Sequence, residues 1–289
     1  MGAVAMSVYE TSQPISATLD LSVADVRIIA GDRADTVVEV RPTNQTRNAD
    51  IKAAEQTRVE YSNGRLSVKM AKEWTRFTPF GGVASVDITI ELPTGSAIHS
   101  ESEMGSYDVD GRLDECSFRT GAGSVRVDRT GTLTVSTGIG EIIADRVAGD
   151  ADFKTGSGQV RVGSIDGATV VKSGNGDARI GKVGGDLRVK TANGEIVIGQ
   201  ARASVIAKSA NGRIRIGDVV SGAVVMETAA GEIEVGIHDG TAAFLDVKTH
   251  YGNVRSSLQA SNVPGPSGST VEVRARTSYG DILITRAPA

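Results

Sequence analysis

The sequence predicts an all-β protein, a parallel β-solenoid (β-helix) of about ten 18-residue coils with a β-rich N-terminal cap. Three observations lead there. First, the pattern S/T-x-x-G-x-Φ-x-Φ, with Φ apolar, recurs with its glycine at Gly105, Gly123, Gly140, Gly158, Gly176, Gly194, Gly212, Gly231, Gly252 and Gly280. The intervals are 18, 17, 18, 18, 18, 18, 19, 21 and 28 residues. Second, β-branched residues alternate with polar ones around each of these glycines, the mark of a strand with one buried face. Third, the 35 glycines lack the G-X-Y period of collagen, so they read as recurrent turns. Antiparallel propeller blades need a period of roughly 40 residues, and helices tolerate neither so much glycine nor so many β-branched residues.

Residues 1–98 form the predicted capping region. Alternation there is irregularly spaced, in Leu19–Val23, Val37–Val40, Leu66–Val68 and Val86–Ile90. Asn63-Gly64 between Tyr61 and Leu66 predicts a two-residue hairpin turn. One short helix is expected over Asp50–Gln56. Trp74, Phe77 and Phe80 stand in a Gly/Pro-bounded loop, whose sharper reading is contact with a partner and whose plainer one is a cover for the cap.

Residues 99–289 are the predicted solenoid repeats, continuous with the cap as one elongated domain. Two and four residues after each repeat glycine stand pairs such as Val160/Val162, Ile196/Ile198 and Ile214/Ile216. Seven and five residues before it stand pairs such as Leu133/Val135 and Leu187/Val189, so each coil holds two strands. Gly163, Gly181, Gly199, Gly217 and Gly236, with Gly149, Gly167 and Gly185, are read as further turns. The column of hydroxyl residues from Ser102 to Thr277 suits corners whose backbone groups need partners. Cys116 falls in an inward column and reads as core. The coil Asp281–Ile284 comes last and is followed by five residues, among them Pro288, so this end is expected to be thinly covered.

Leu21-Ser22-Val23-Ala24-Asp25-Val26, the segment Ile90-Glu91-Leu92-Pro93-Thr94-Gly95-Ser96 and the repeat itself together resemble the bacterial β-strand-repeat family labelled "putative adhesin", a domain of unknown function. The resemblance spans roughly residues 15 to 285. It implies a β-helical scaffold with some relatives linked to the cell envelope and its stress responses, and it carries no established catalytic residues.

The three histidines are scattered, with no metal-ligand spacing and no triad signature, so no metal site, cofactor or catalytic residue is expected. There is no phosphate-binding glycine loop and no nucleic-acid motif, and the net charge is -4. The charges nevertheless fall in columns. Lys154, Lys172, Lys190 and Lys208 stand four residues before the repeat glycine; Arg161, Arg179 and Arg215 stand three after it. These basic stripes are the candidate binding residues for an anionic polymer. The competing reading is that Glu141, Asp177, Glu195, Glu232 and Asp281, which directly follow the glycine, neutralise them.

The expected function is thus a non-enzymatic scaffold or binding protein, with a protein or an anionic polymer as partner. One alternative is a bactofilin-like scaffold that stacks end to end or laterally into homo-oligomers. A second is a polysaccharide-active β-helix enzyme that would use Asp177 and Glu195 on successive coils. A single cysteine cannot form an internal disulfide, no stretch approaches a spanning helix of about 18 apolar residues, and the first residues lack signal-peptide features. The expected location is cytoplasmic, with peripheral association at the envelope.

Overall fold

A computed structural model of the protein describes residues 5–70, 83–258 and 269–287. The chain divides into two compact units, Met1–Ala144 and Asp145–Ala289.

The first unit contains β1 (Ala5–Glu10), β2 (Ser16–Gly31), β3 (Asp35–Pro42), α1 (Asn48–Gln56), β4 (Arg58–Ser62), β5 (Arg65–Lys69), β6 (Val86–Pro93), β7 (Ala97–Met104), β8 (Tyr107–Arg112), β9 (Glu115–Ala122), β10 (Val125–Thr130) and β11 (Thr132–Ile139). The chain crosses the boundary in β12 (Ile142–Val147). Parallel strands stack in two rows. The first row runs β5, β2, β7, β9, β11, and the second β6, β2, β8, β10. β2 serves both rows. Its buried residues Ala17, Leu19 and Leu21 are followed by Ala24, Val26 and Ile28, a one-residue slip in the alternation that turns the strand around the corner.

Antiparallel strands end the stack on the N-terminal side. β4 pairs with β5, β3 with β6, and β1 with β3. Asn63 and Gly64 both have positive φ, 51° and 74°, the type I′ turn that the dipeptide predicts. Tyr9 and Tyr61 bring β1 and β4 together with ring centroids 5.1 Å apart. The helix starts two residues before the expected Asp50. That residue is buried because its carboxylate accepts the backbone N–H groups of Asn44 and Ser85, both at 3.2 Å.

The second unit continues with β13 (Ala151–Ser157), β14 (Val160–Ile165), β15 (Thr169–Asn175), β16 (Ala178–Val183), β17 (Leu187–Asn193), β18 (Ile196–Ala201), β19 (Val205–Asn211), β20 (Ile214–Val219), β21 (Gly222–Ala230), β22 (Ile233–Ile237), β23 (Ala242–Tyr251), β24 (Val254–Ser256), β25 (Thr270–Tyr279) and β26 (Ile282–Arg286). Odd strands form one parallel row and even strands the other. Like residues stack between them. Ile196, Ile214, Ile233 and Ile282 are in register and fully buried. Each such side chain contributes about 1.5–3 kcal/mol by leaving water. Both units are parallel β-solenoids, the predicted fold class.

At several corners a hydroxyl from the Ser/Thr column donates to the carbonyl of a repeat glycine on a neighbouring coil. Thr228 reaches Gly212 and Thr277 reaches Gly231, both at 3.0 Å, and Thr249 reaches Gly280 at 2.9 Å. These bonds satisfy carbonyls at the bends.

Two expectations are corrected. Gly163, Gly181, Gly199, Gly217 and Gly236 lie inside β14, β16, β18, β20 and β22 rather than in turns. They are glycines because successive coils approach too closely there for a side chain; a Cβ on Gly181 would stand 2.3 Å from the Gly163 carbonyl oxygen. The second correction concerns coil order. β25 pairs with β21 on one side and β23 on the other, and β26 likewise separates β22 from β24. The later coil is therefore interior, and among the described residues the coil of β23 and β24 is outermost. Both coils carry the same alternation, so either could occupy the end. Pro288 and the segment 261–268 lie outside the described residues.

Candidate functional site

The lysine column becomes a row on the outer face of the second unit. Strand register sets Lys154 beside Lys172, Lys172 beside Lys190, and Lys190 beside Lys208. Parallel neighbours lie about 4.8 Å apart. Every second residue faces the core, so Phe153, Val171, Val189 and Ala207 are buried while the lysines between these and the hydroxyl column point outward. The two ends of the row are paired. Lys154 meets Asp152 at 3.1 Å, and Lys208 meets Glu227 of the next strand at 2.6 Å. Lys172 and Lys190 are exposed and have no acidic partner among the described residues, and Arg188 stands exposed beside Lys190. Two unit charges this close repel by about 1 kcal/mol in water, a cost the flexible stems reduce by splaying apart.

A trough runs beside the lysines. Two residues further along each strand the outward position holds Gly156, Gly174, Ala192 or Ala210. Beyond it Asn175, Asn193 and Asn211 form a ladder, with side-chain amides bonded from coil to coil at 2.8 and 2.9 Å. Towards β23 the trough widens into an open hollow of about 570 Å³ lined by Lys208, Glu227, Lys248, His250 and Arg276 among others. His250 was not singled out by the sequence reading. Its signal is its place two residues after Lys248, in a column that is glycine or alanine from Gly121 to Ala229.

The arginines are separated from the lysines. Arg161, Arg179 and Arg215 lie on the even-numbered row, where Val197 interrupts the column. Arg179 meets Asp177 at 3.2 Å and Glu195 at 3.6 Å, and Arg215 meets Glu234 at 3.5 Å. Arg161 donates to Gln159 at 2.6 Å. Asp177 also accepts the backbone N–H of Glu195 at 2.9 Å, as Asp281 accepts that of Asn253 at 2.8 Å. A structural task, capping the corner of the adjoining coil, accounts for these carboxylates. Trp74, Phe77 and Phe80 lie outside the described residues.

Cys116 is buried beside Thr130, whose hydroxyl lies 3.5 Å from the sulfur. Burial pushes the thiol up to about 12, with a smaller contribution from the charges of Asp114 and Glu115, while the Thr130 contact acts the other way. An unfolded thiol ionises near pH 8.5. The stabilisation from keeping this thiol protonated is full below that pH and is lost as pH rises towards 12. Stability should therefore fall by up to about 1.4 kcal/mol per pH unit above roughly pH 8.5. Denaturant titrations between about pH 8.5 and 10, below the pH at which an unfolded tyrosine ionises and the raised phenol of buried Tyr107 begins to contribute, should show this slope in the wild type and a flatter one in Cys116→Ala. Equal slopes would contradict it.

Buried aliphatic ladders, hydroxyl-bonded corners and columns of charge on the outer faces of the coils define a β-solenoid repeat protein. Among the described residues no helix is long and apolar enough to cross a membrane. The chain belongs to the Toastrack DUF4097 family, whose model matches residues 16–285. No curated protein matches it. Solved structures similar to it include a putative adhesin from Bacteroides fragilis NCTC 9343, at 10% identity, with 98% of each chain covered and a TM-score of 0.43. A putative adhesin from Parabacteroides merdae ATCC 43184 is 11% identical, with 98% of this chain and 96% of that one covered and a TM-score of 0.40. A putative lipid binding protein from Parabacteroides distasonis ATCC 8503 is 11% identical, with 99% and 98% covered and a TM-score of 0.31. At those scores none of the three bears on this protein's function.

Proposed function

We propose that the protein is a non-enzymatic scaffold that binds a linear anionic polymer along its lysine row. The carrying observation is the pair Lys172 and Lys190, adjacent, outward and without acidic partners among the described residues, beside a trough of glycine and alanine into which a chain can settle. A polyanion laid along the row relieves the mutual repulsion of the lysines and releases its own counterions. Arg179 and Arg215, held by Asp177, Glu195 and Glu234, contribute less.

The test compares wild type with Lys172→Glu/Lys190→Glu/Lys208→Glu by equilibrium binding to inorganic polyphosphate over a salt series. Anionic lipid vesicles form a second arm. The triple variant should bind polyphosphate at least about tenfold more weakly, and its salt dependence should flatten by about 2 in log–log slope. Undiminished binding by the variant, or none by the wild type, overturns the proposal. Binding confined to the vesicles would replace the polymer with a membrane surface.

A further inference from the structure

The outermost coil of the second unit is unfinished. Among the described residues, β23 pairs only with β25 and β24 only with β26. Leu245 and Val254 sit opposite Val273 and Ile282, which are fully buried, yet they are 39% and 44% exposed because no coil among the described residues covers them. Phe244, outward on the same strand, is 69% exposed. The backbone of β23 is also open. The N–H of Ala242 turns inward to Ser269 at 3.0 Å, so alternation turns the N–H and C=O groups of Ala243, Leu245, Val247 and Thr249 to the free edge. Ten residues of exposed strand edge and uncovered core together call for another strand.

We infer that this edge pairs with the same edge of a second copy of the chain, antiparallel about a two-fold axis through Val247. The charge pattern selects both occupant and register. In an antiparallel pair, residues directly opposite each other point to the same face, so the axis must pass through a residue. An axis at Asp246 sets that carboxylate against itself, and one at Lys248 does the same for the ammonium. An axis at Leu245 faces Asp246 with Phe244, and one at Thr249 faces Lys248 with His250. With the axis at Val247, Asp246 of each copy lies opposite Lys248 of the other, and Phe244 lies opposite His250. The Asp246–Lys248 pairs occupy non-hydrogen-bonded positions, where side chains come closest. Asp246 already meets Arg276 at 3.2 Å, which orients its carboxylate on the outer face. On the inner face Val247 meets the Val247 of the other copy, and Leu245 lies opposite Thr249 and diagonal to Val247. A two-fold interface closes at two copies, so the product is a dimer and not a filament. The inference stands independently of the lysine row.

Sedimentation velocity of the full chain over a concentration series tests it. The wild type should dimerise. Asp246→Lys and Lys248→Asp should each weaken the dimer about tenfold, since either one faces two like pairs across the axis, and the double variant should restore it. Circular dichroism and thermal melts confirm that the variants are folded. Register is read by oxidation. Val247→Cys places two thiols opposite each other at about 5.5 Å between Cα atoms, within disulfide reach, and should form a covalent dimer. Ala243→Cys, which faces Tyr251, should not. A monomer at every concentration, charge reversals without effect, or equal crosslinking through residue 243 would each overturn the inference.

Discussion

Gly194→Ala should cost at least about 3 kcal/mol, enough to remove a large part of the stability of an ordinary domain. Two penalties add. Gly194 has φ +147°, a conformation L side chains rarely adopt, and an added Cβ would stand 2.2 Å from the carbonyl oxygen of Gly176. That oxygen is backbone, and the coil it belongs to is held on both sides, so nothing can yield cheaply. Gly31→Ala is the matched control. Its added Cβ meets nothing within 4 Å, and its stability should stay within about 0.5 kcal/mol of the wild type. Urea midpoints at equal slopes measure both. A Gly194→Ala protein as stable as Gly31→Ala would show that the corner tolerates a side chain and that the description of the coil is wrong.

Phe118→Ala is expected to lose about 3–5 kcal/mol. The ring is fully buried and tilted against Tyr107, with centroids 5.0 Å apart. Stacked strands above and below it are locked by their ladders, so the cavity cannot collapse as it would beside a mobile loop. Phe118→Leu retains most of the volume and should lose less than half as much. Calorimetric or denaturant unfolding distinguishes them, and similar losses for the two substitutions would contradict a tightly closed core at this position.

The repeat glycines made the two rows of each unit legible because a corner that admits no Cβ must recur at every coil. Alternation alone sets Lys154, Lys172, Lys190 and Lys208 on one outer face, and the same counting puts Cys116 inside. The Asn63-Gly64 turn was equally plain, being a local conformational demand of two residues. Less accessible was anything that depends on which coil adds to which. A parallel edge accepts any strand with the right alternation, and Val271/Val273/Ala275 serve the growing stack as well as Ala243/Leu245/Val247 do. The last two glycine intervals, 21 and 28 residues, were the only trace of an altered path. Charge neutralisation was half legible. The acidic column beside the arginines could be read from the chain, whereas the contact of Lys208 with Glu227 depends on how two long side chains reach across neighbouring strands.

The interior position of β25 and β26 bears on how this end of the molecule comes into being. During synthesis β23 and β24 emerge before β25 and β26, yet among the described residues these later strands are their hydrogen-bonding neighbours. Simple winding from the N-terminus, each new coil laid on the previous one, cannot complete the structure. The earlier segment has to wait or vacate a provisional place until β25 and β26 have been made, which leaves a nascent chain stopped near Ser256 with two strands and no template for them.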